Sequence, residues 1–145
     1  MQKLNRKLEY SLMALKHMSL KSDGQLTTAK EVAESYQTPF DATARVLQIM
    51  ASSGWLKSEQ GACGGYKINR RLEEVTLLDL IQLIEGPPQI SKCLHNKAGC
   101  EIEKTCNIVS PIHVLNLRLN EFYKSFSLAE LLHQEPATTL TRWSS

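Results

Sequence analysis

Between Thr28 and Asn69 the chain alternates elements and breaks so closely that few folds can accept it. Thr28-Ala-Lys-Glu31 has the spacing of a capping box, which predicts a helix start carrying Val32, Ala33 and Tyr36. Gln37-Thr38-Pro39 breaks that helix, and Pro39 suits the first turn of another, capped by Thr38. The second helix runs to about Ser53 with Val46, Leu47 and Met50 inward, and Gly54 ends it. Two short helices joined by a tight turn make a helix-turn-helix. Trp55 to Ser58 and Tyr66 to Asn69 then read as strands around the tip Glu59-Gln-Gly-Ala-Cys-Gly-Gly65, a β-hairpin in the position of a wing. Such glycines also build phosphate-cradling loops, but this stretch lacks Gly-x-x-x-x-Gly-Lys-Ser/Thr and opens no helix. Cys63, at the tip, reads as an incidental small residue.

Helices are predicted on both sides. Leu8, Leu12, Leu15 and Met18 recur at helical spacing within Leu4 to Ser19. Val75 to Glu85 is a helix capped by Thr76 and stopped by Gly86-Pro87-Pro88. Ser110-Pro111 opens a long helix to about Ser125, in which Ile112, Leu115, Leu119, Phe122 and Phe126 form an apolar stripe. The same helix of a second subunit would cover that stripe; folding back onto the chain's own core is the alternative. The expected fold class is mainly α with a small β-hairpin wing: a winged helix-turn-helix plus a long dimerisation helix. Within one domain, 1–86 would bind DNA, 87–109 form a loop, 110–132 carry the dimerisation helix and a short cap, and 133–145 be a mobile tail.

The net charge of +2 hides an asymmetry. Up to Arg71 there are 11 Lys/Arg against 6 Asp/Glu, and from Leu72 onward 6 against 9, so the halves carry +5 and −3. A basic first half suits contact with nucleic acid, although charge alone fits an idle surface equally well. The N-terminus lacks the apolar core and cleavage site of a signal peptide, and no stretch reaches the ~18 apolar residues of a membrane span. A cytoplasmic protein is expected, with reduced thiols and no membrane partner.

Cys93, Cys100 and Cys106 fall within the polar stretch KCLHNKAGCEIEKTC. Their odd number argues against disulfides, and their polar setting against core packing; three unconnected reduced cysteines are the bland alternative. Thiolates are the usual iron–sulfur ligands, and Lys92, Lys97 and Lys104 would offset cluster charge. Structural zinc usually takes at least one Cys-x(2–4)-Cys pair, which is absent here. A loop with no regular structure would wrap one cluster.

In the third helix the polar side chains near the N-terminal half are Thr38, Asp41, Thr43, Arg45 and Gln48. Such a helix enters the major groove. Arg45 has the bidentate geometry for guanine and Gln48 for adenine, though Arg45 could equally grip a phosphate. Lys57 and Lys67 on the wing would lie along the minor groove or backbone, and Arg6 and Lys7 on the first helix would meet phosphates, making binding salt-dependent.

Together these stretches resemble the bacterial winged-helix repressors that hold an iron–sulfur cluster, of the IscR, NsrR and RirA types. The resemblance rests on Lys3 to Leu12, Gly61-Ala-Cys-Gly-Gly-Tyr66, Val75 to Pro87, the cysteine triplet and Phe126 to Leu132, in family order over nearly the whole chain. It implies a homodimer on palindromic promoter DNA whose affinity changes when the cluster is lost or altered. The IscR type places a histidine ligand three residues after the third cysteine, where this chain has Val109. The NsrR type uses an acidic residue early in the first helix that reaches the partner subunit's cluster; the matching position is Glu9. That match implies 4Fe–4S, with 2Fe–2S still open, and nitric oxide, oxygen or iron scarcity as the signal. His95 and His113 read as solvated rather than ligating. The family often carries tyrosine and glutamate at the positions of Ala42 and Ala44, so its base preference does not transfer directly.

Two other functions compete. A family relative without a cluster would act through a protein partner or cysteine oxidation. An iron–sulfur enzyme is the remote reading, since no nucleotide loop or catalytic dyad accompanies the cysteines.

Overall fold

A computed structural model describes residues 4–95 and 100–134. Its elements are α1 (Arg6–Ser19), α2 (Ala29–Tyr36), α3 (Phe40–Ser52), β1 (Leu56–Glu59), β2 (Gly65–Ile68), α4 (Leu77–Glu85), the single turn α5 (Lys92–His95), α6 (Val109–Lys124) and α7 (Leu128–His133). The expected class, mainly helical with a hairpin wing, is what the chain adopts. The expected mobile tail lies almost wholly outside the described residues.

Local chemistry sets most boundaries. Asn5 caps α1 by accepting from the Lys7 amide, and Thr76 and Asp79 form a full capping box on α4. Thr28 caps α2, but the box there is half made. Glu31 turns away to His17 and Lys21 on the neighbouring segment, a stronger attraction than one orphan amide. The start of α3 also departs from expectation. Pro39 is itself the cap residue, and no side chain caps the helix. The Thr43 hydroxyl is buried and must find partners, so it bonds the Pro39 carbonyl at 2.9 Å and the Thr38 hydroxyl at 2.7 Å. Thr38 is thereby drawn away from the helix end. Gln37 makes the sharp turn in the left-handed region, with φ 52°.

The wing pairs Leu56 with Ile68 through Glu59 with Gly65, antiparallel. Thr27 adds a single bridge to Tyr66, through reciprocal backbone hydrogen bonds of 2.8 Å. This explains the glycine pair at the hairpin. A side chain on Gly65 would put its Cβ 2.9 Å from the Thr27 carbonyl oxygen, and one on Gly64 would sit 2.5 Å from that of Glu59.

One core binds these parts. Leu8, Leu15, Val32, Leu47, Met50, Trp55, Leu80 and Leu128 are buried and belong to one cluster. Leu128 brings the C-terminal α7 into this core, where the Leu128 and Ala129 amides bond the Val75 and Leu72 carbonyls at 2.8 and 3.0 Å. Leu47 is inaccessible to solvent at the centre of α3. Leu47→Ala removes about three buried carbons and leaves a cavity, so chemical denaturation should show a loss of ~2–5 kcal/mol. By contrast, α6 buries none of its residues fully. Its inner side carries Tyr123, followed by Phe126, both packed on the core.

Candidate functional site

Two surfaces bear chemistry. The first is the outward face of α3. Thr43, Val46, Leu47 and Met50 turn inward, which leaves Asp41, Arg45 and Gln48 exposed together at spacings of four and three. Three of the five polar residues assigned to this helix and its entry therefore share one solvent face. Thr43 does not: it is fully buried, and its hydroxyl braces the turn, so it leaves the set of base-reading candidates. Thr38 is half-buried in the same brace.

Sequence reasoning missed two aromatics on this surface. Phe40, the first residue of α3, is 54% exposed, and Tyr36, the last of α2, is 41% exposed. They stand on either side of the turn, in phase with the buried stripes of their helices but at the ends nearest the turn, so helical spacing gave no sign of their exposure. Phenylalanine at such a position can contact a thymine methyl group.

Of the expected backbone contacts, Lys57 and Lys7 are exposed. Lys67 lies across the hairpin from Lys57 and donates to Glu59 Oε1 at 2.7 Å. This bond holds the Glu59 carboxyl below its usual range. Lys67 would have to exchange that partner to reach a phosphate. Arg6 likewise donates to Glu9 Oε2 at 2.9 Å, so two residues assigned separate tasks are paired on α1.

The second surface is the cysteine segment. It is less irregular than expected, because Cys93 sits on the helical turn α5. The Ile90 amide donates to Asn116 Oδ1 of α6 at 3.2 Å, and Ser91 Oγ lies 3.2 Å from Cys93 Sγ, so the segment is anchored to α6 before the first cysteine. Cys93, Cys100 and Cys106 are half-buried, free, and line one cavity of about 260 Å³. Ile102, Ile108, Val109 and Ile112 supply its apolar walls. Val109 thus contributes hydrocarbon where a histidine ligand would stand in the IscR type. Among the described residues no three His, Cys, Asp or Glu groups converge tightly enough to hold a metal ion. Thiols that ring a cavity without meeting at a point suit a multi-atom inorganic centre better than a lone ion. Three cysteines on a largely apolar lining, with Ser91, Lys92 and Glu103 also on it, are the sulfur donors such centres use. Glu9, on α1, is not part of this lining. His113 is exposed on α6, and the His95 side chain lies outside the described residues.

Residues 4–134 match the Rrf2 family, described as an iron-dependent transcriptional regulator. The chain belongs to this family. An Rrf2-type winged-helix regulator of transcription is therefore its established class, and DNA binding follows from that class. Among curated relatives, the HTH-type transcriptional regulator NsrR of Oceanobacillus iheyensis is 27% identical over 136 residues, covering 91% of this chain and 90% of that protein. Among solved structures, CymR (YrzC), the global cysteine regulator of B. subtilis, has a TM-score of 0.69 at 23% identity, covering 91% of this chain and 97% of that one. T. potens IscR has a TM-score of 0.65 at 21% identity, covering 90% and 86%. These Rrf2 relatives are all regulators, and among the described residues no helix is long and apolar enough to cross a membrane.

Proposed function

We propose that this Rrf2 chain is a homodimeric repressor that senses nitric oxide, redox state or iron status through a cysteine-ligated iron–sulfur cluster, 4Fe–4S in preference to 2Fe–2S. The observation that carries the reading is the single cavity shared by Cys93, Cys100 and Cys106 at the start of α6. These three thiolates would hold the cluster, and the partner's Glu9 would complete its ligand set. Such a centre would supply redox chemistry, and a carboxylate ligand on it would be displaced more readily than sulfur, which would open iron to small molecules. The chain's own part is positional. Glu9 lies one turn into α1, which packs against α3 and α4 of its own protomer. Holding Glu9 to the neighbouring subunit fixes α1, and with it the reading face of α3. Releasing it lets the two reading heads of the dimer move apart or together, a coupling between cluster state and DNA affinity.

Asp41, Arg45 and Gln48 read base edges in this account, with Thr38, Lys57, Lys67, Arg6 and Lys7 on the backbone. Residues 1–86 form the DNA-binding part, 87–109 the cluster loop and 110–132 the dimerisation part. Arg45→Ala should weaken binding to a selected operator about tenfold to a hundredfold while sparing random DNA, because one bidentate base contact is worth ~1–3 kcal/mol. Fluorescence anisotropy with both duplexes measures this. An equal loss on both would make Arg45 a phosphate contact.

The likeness to CymR favours a second reading, in which cysteine oxidation replaces the cluster; one solved Staphylococcus aureus CymR is described as an oxidized form. Purification without air separates the two. A brown protein with visible charge-transfer bands, whose operator complex changes on adding nitric oxide, supports the sensor. A colourless protein that responds only to thiol oxidants supports the second reading.

A further inference from the structure

The imidazole of His17, near the end of α1, is engaged on both nitrogens. Nε2 lies 2.7 Å from Glu31 Oε1 and Nδ1 lies 2.7 Å from the Tyr36 hydroxyl, with the two rings edge to face at 5.5 Å. Glu31 is also ion-paired to Lys21, which is itself held by the Leu26 carbonyl. Burial opposes the charge on Glu31, but Lys21 and His17 outweigh it and keep the carboxyl below its usual range. Glu31 is therefore a carboxylate, acceptor only, and fixes the proton of neutral His17 on Nε2. Nδ1 is then a lone pair, and the Tyr36 O–H must donate to it.

This geometry has a consequence at the surface. With neutral His17, Tyr36 spends its only proton inward and shows solvent nothing but acceptor lone pairs. With protonated His17, Nδ1–H donates to Tyr36, and the Tyr36 O–H is released to donate outward. The His17 side chain is only 17% exposed, whereas Tyr36 is 41% exposed one residue before the turn into α3. The two states therefore differ in what the helix-turn-helix offers a phosphate: acceptors that repel it, or a donor backed by a positive charge.

We propose that Tyr36 is a DNA-phosphate contact whose hydrogen-bond direction is set by His17, so that DNA binding takes up one proton per protomer. The inference rests on the reading that the α3 face meets DNA. The groups facing His17 are Glu31 and Tyr36 of α2, with Lys21 behind Glu31. Of the other elements packed against α1, α3 and α4 turn Thr43, Val46, Leu47, Met50, Leu77, Leu80 and Ile81 inward, none of which titrates in the neutral range, while β2 carries Tyr66 and Lys67 and α7 carries Glu130 and His133.

The test is fluorescence anisotropy of the full-length protein with a duplex selected from random-sequence DNA, and with a random duplex, between about pH 8 and pH 6, where an imidazole changes charge. Wild type should bind both duplexes about tenfold more tightly per protomer at the acid end, the worth of one charge-assisted hydrogen bond. Tyr36→Phe, an exposed change that spares the fold, should remove that gain, so that its affinity no longer differs between the acid and alkaline ends. His17→Gln should flatten the profile equally, and the double variant no further. A pH dependence that survives in Tyr36→Phe overturns the proposal, as does a profile flattened by His17→Gln alone, since His17 would then act by charge without Tyr36. Absence of binding to any duplex at every pH would instead defeat the reading of α3 as a DNA-contact face.

Discussion

Cys100→Ala, or the same change at Cys93 or Cys106, should yield a colourless protein whose iron and sulfide content falls to background. Each thiol lies on the one cavity, and the proposed centre, with one ligand taken from the partner subunit, would have none to spare. The fold should survive. None of the three cysteines belongs to the buried core cluster, and all keep partial access to solvent. Far-ultraviolet circular dichroism should therefore be unchanged, which separates ligand loss from unfolding. Cys63 is the internal control: it is exposed at the wing tip, and Cys63→Ala should leave iron content as it was. Retention of a full complement of iron by all three loop variants would remove these residues from the site.

Leu115→Asp combined with Phe122→Asp should convert the protein to a monomer at micromolar concentration. Leu115 is 49% and Phe122 56% exposed in the isolated chain, while Ile112 and Leu119 of the same stripe are half-buried. Covering the exposed half of such a side chain is worth about half of the ~1.5–3 kcal/mol of full burial, so removing two from each protomer forfeits ~3–6 kcal/mol of association. Operator affinity should fall at least about a hundredfold, since two half-sites would no longer be read by one tethered pair. Sedimentation velocity and a gel shift measure both effects. A variant that remains dimeric would place the subunit interface on another surface.

The fold was largely legible because its signals are local and repeated. Thr76 with Asp79, the Gln37-Thr38-Pro39 break and the paired glycines each act within a few residues. Failures came where distant groups compete. Glu31 abandons the α2 cap for His17 and Lys21, fourteen and ten residues away along the chain. Thr43 has the composition of a base reader, yet helical phase buries it, and its hydroxyl then claims Thr38. The long stripe divides for a similar reason. Phe126 turns onto the core with α7, while Leu115 and Phe122 stay outside, a split set by where Leu128 docks. At the site, the cysteines announced themselves by number and setting. Their common cavity did not, since it depends on Asn116 of α6 holding the Ile90 amide across 26 residues. The His17–Tyr36 contact likewise joins residues 19 apart and leaves no mark in a local pattern.

Native mass spectrometry of the protein prepared without air tests the central claim most directly. A dimer heavier than two polypeptides by one four-iron cluster per chain, returning to the bare polypeptide mass on exposure to nitric oxide or oxygen, is the predicted spectrum. A dimer of bare polypeptide mass from cells replete in iron would contradict it.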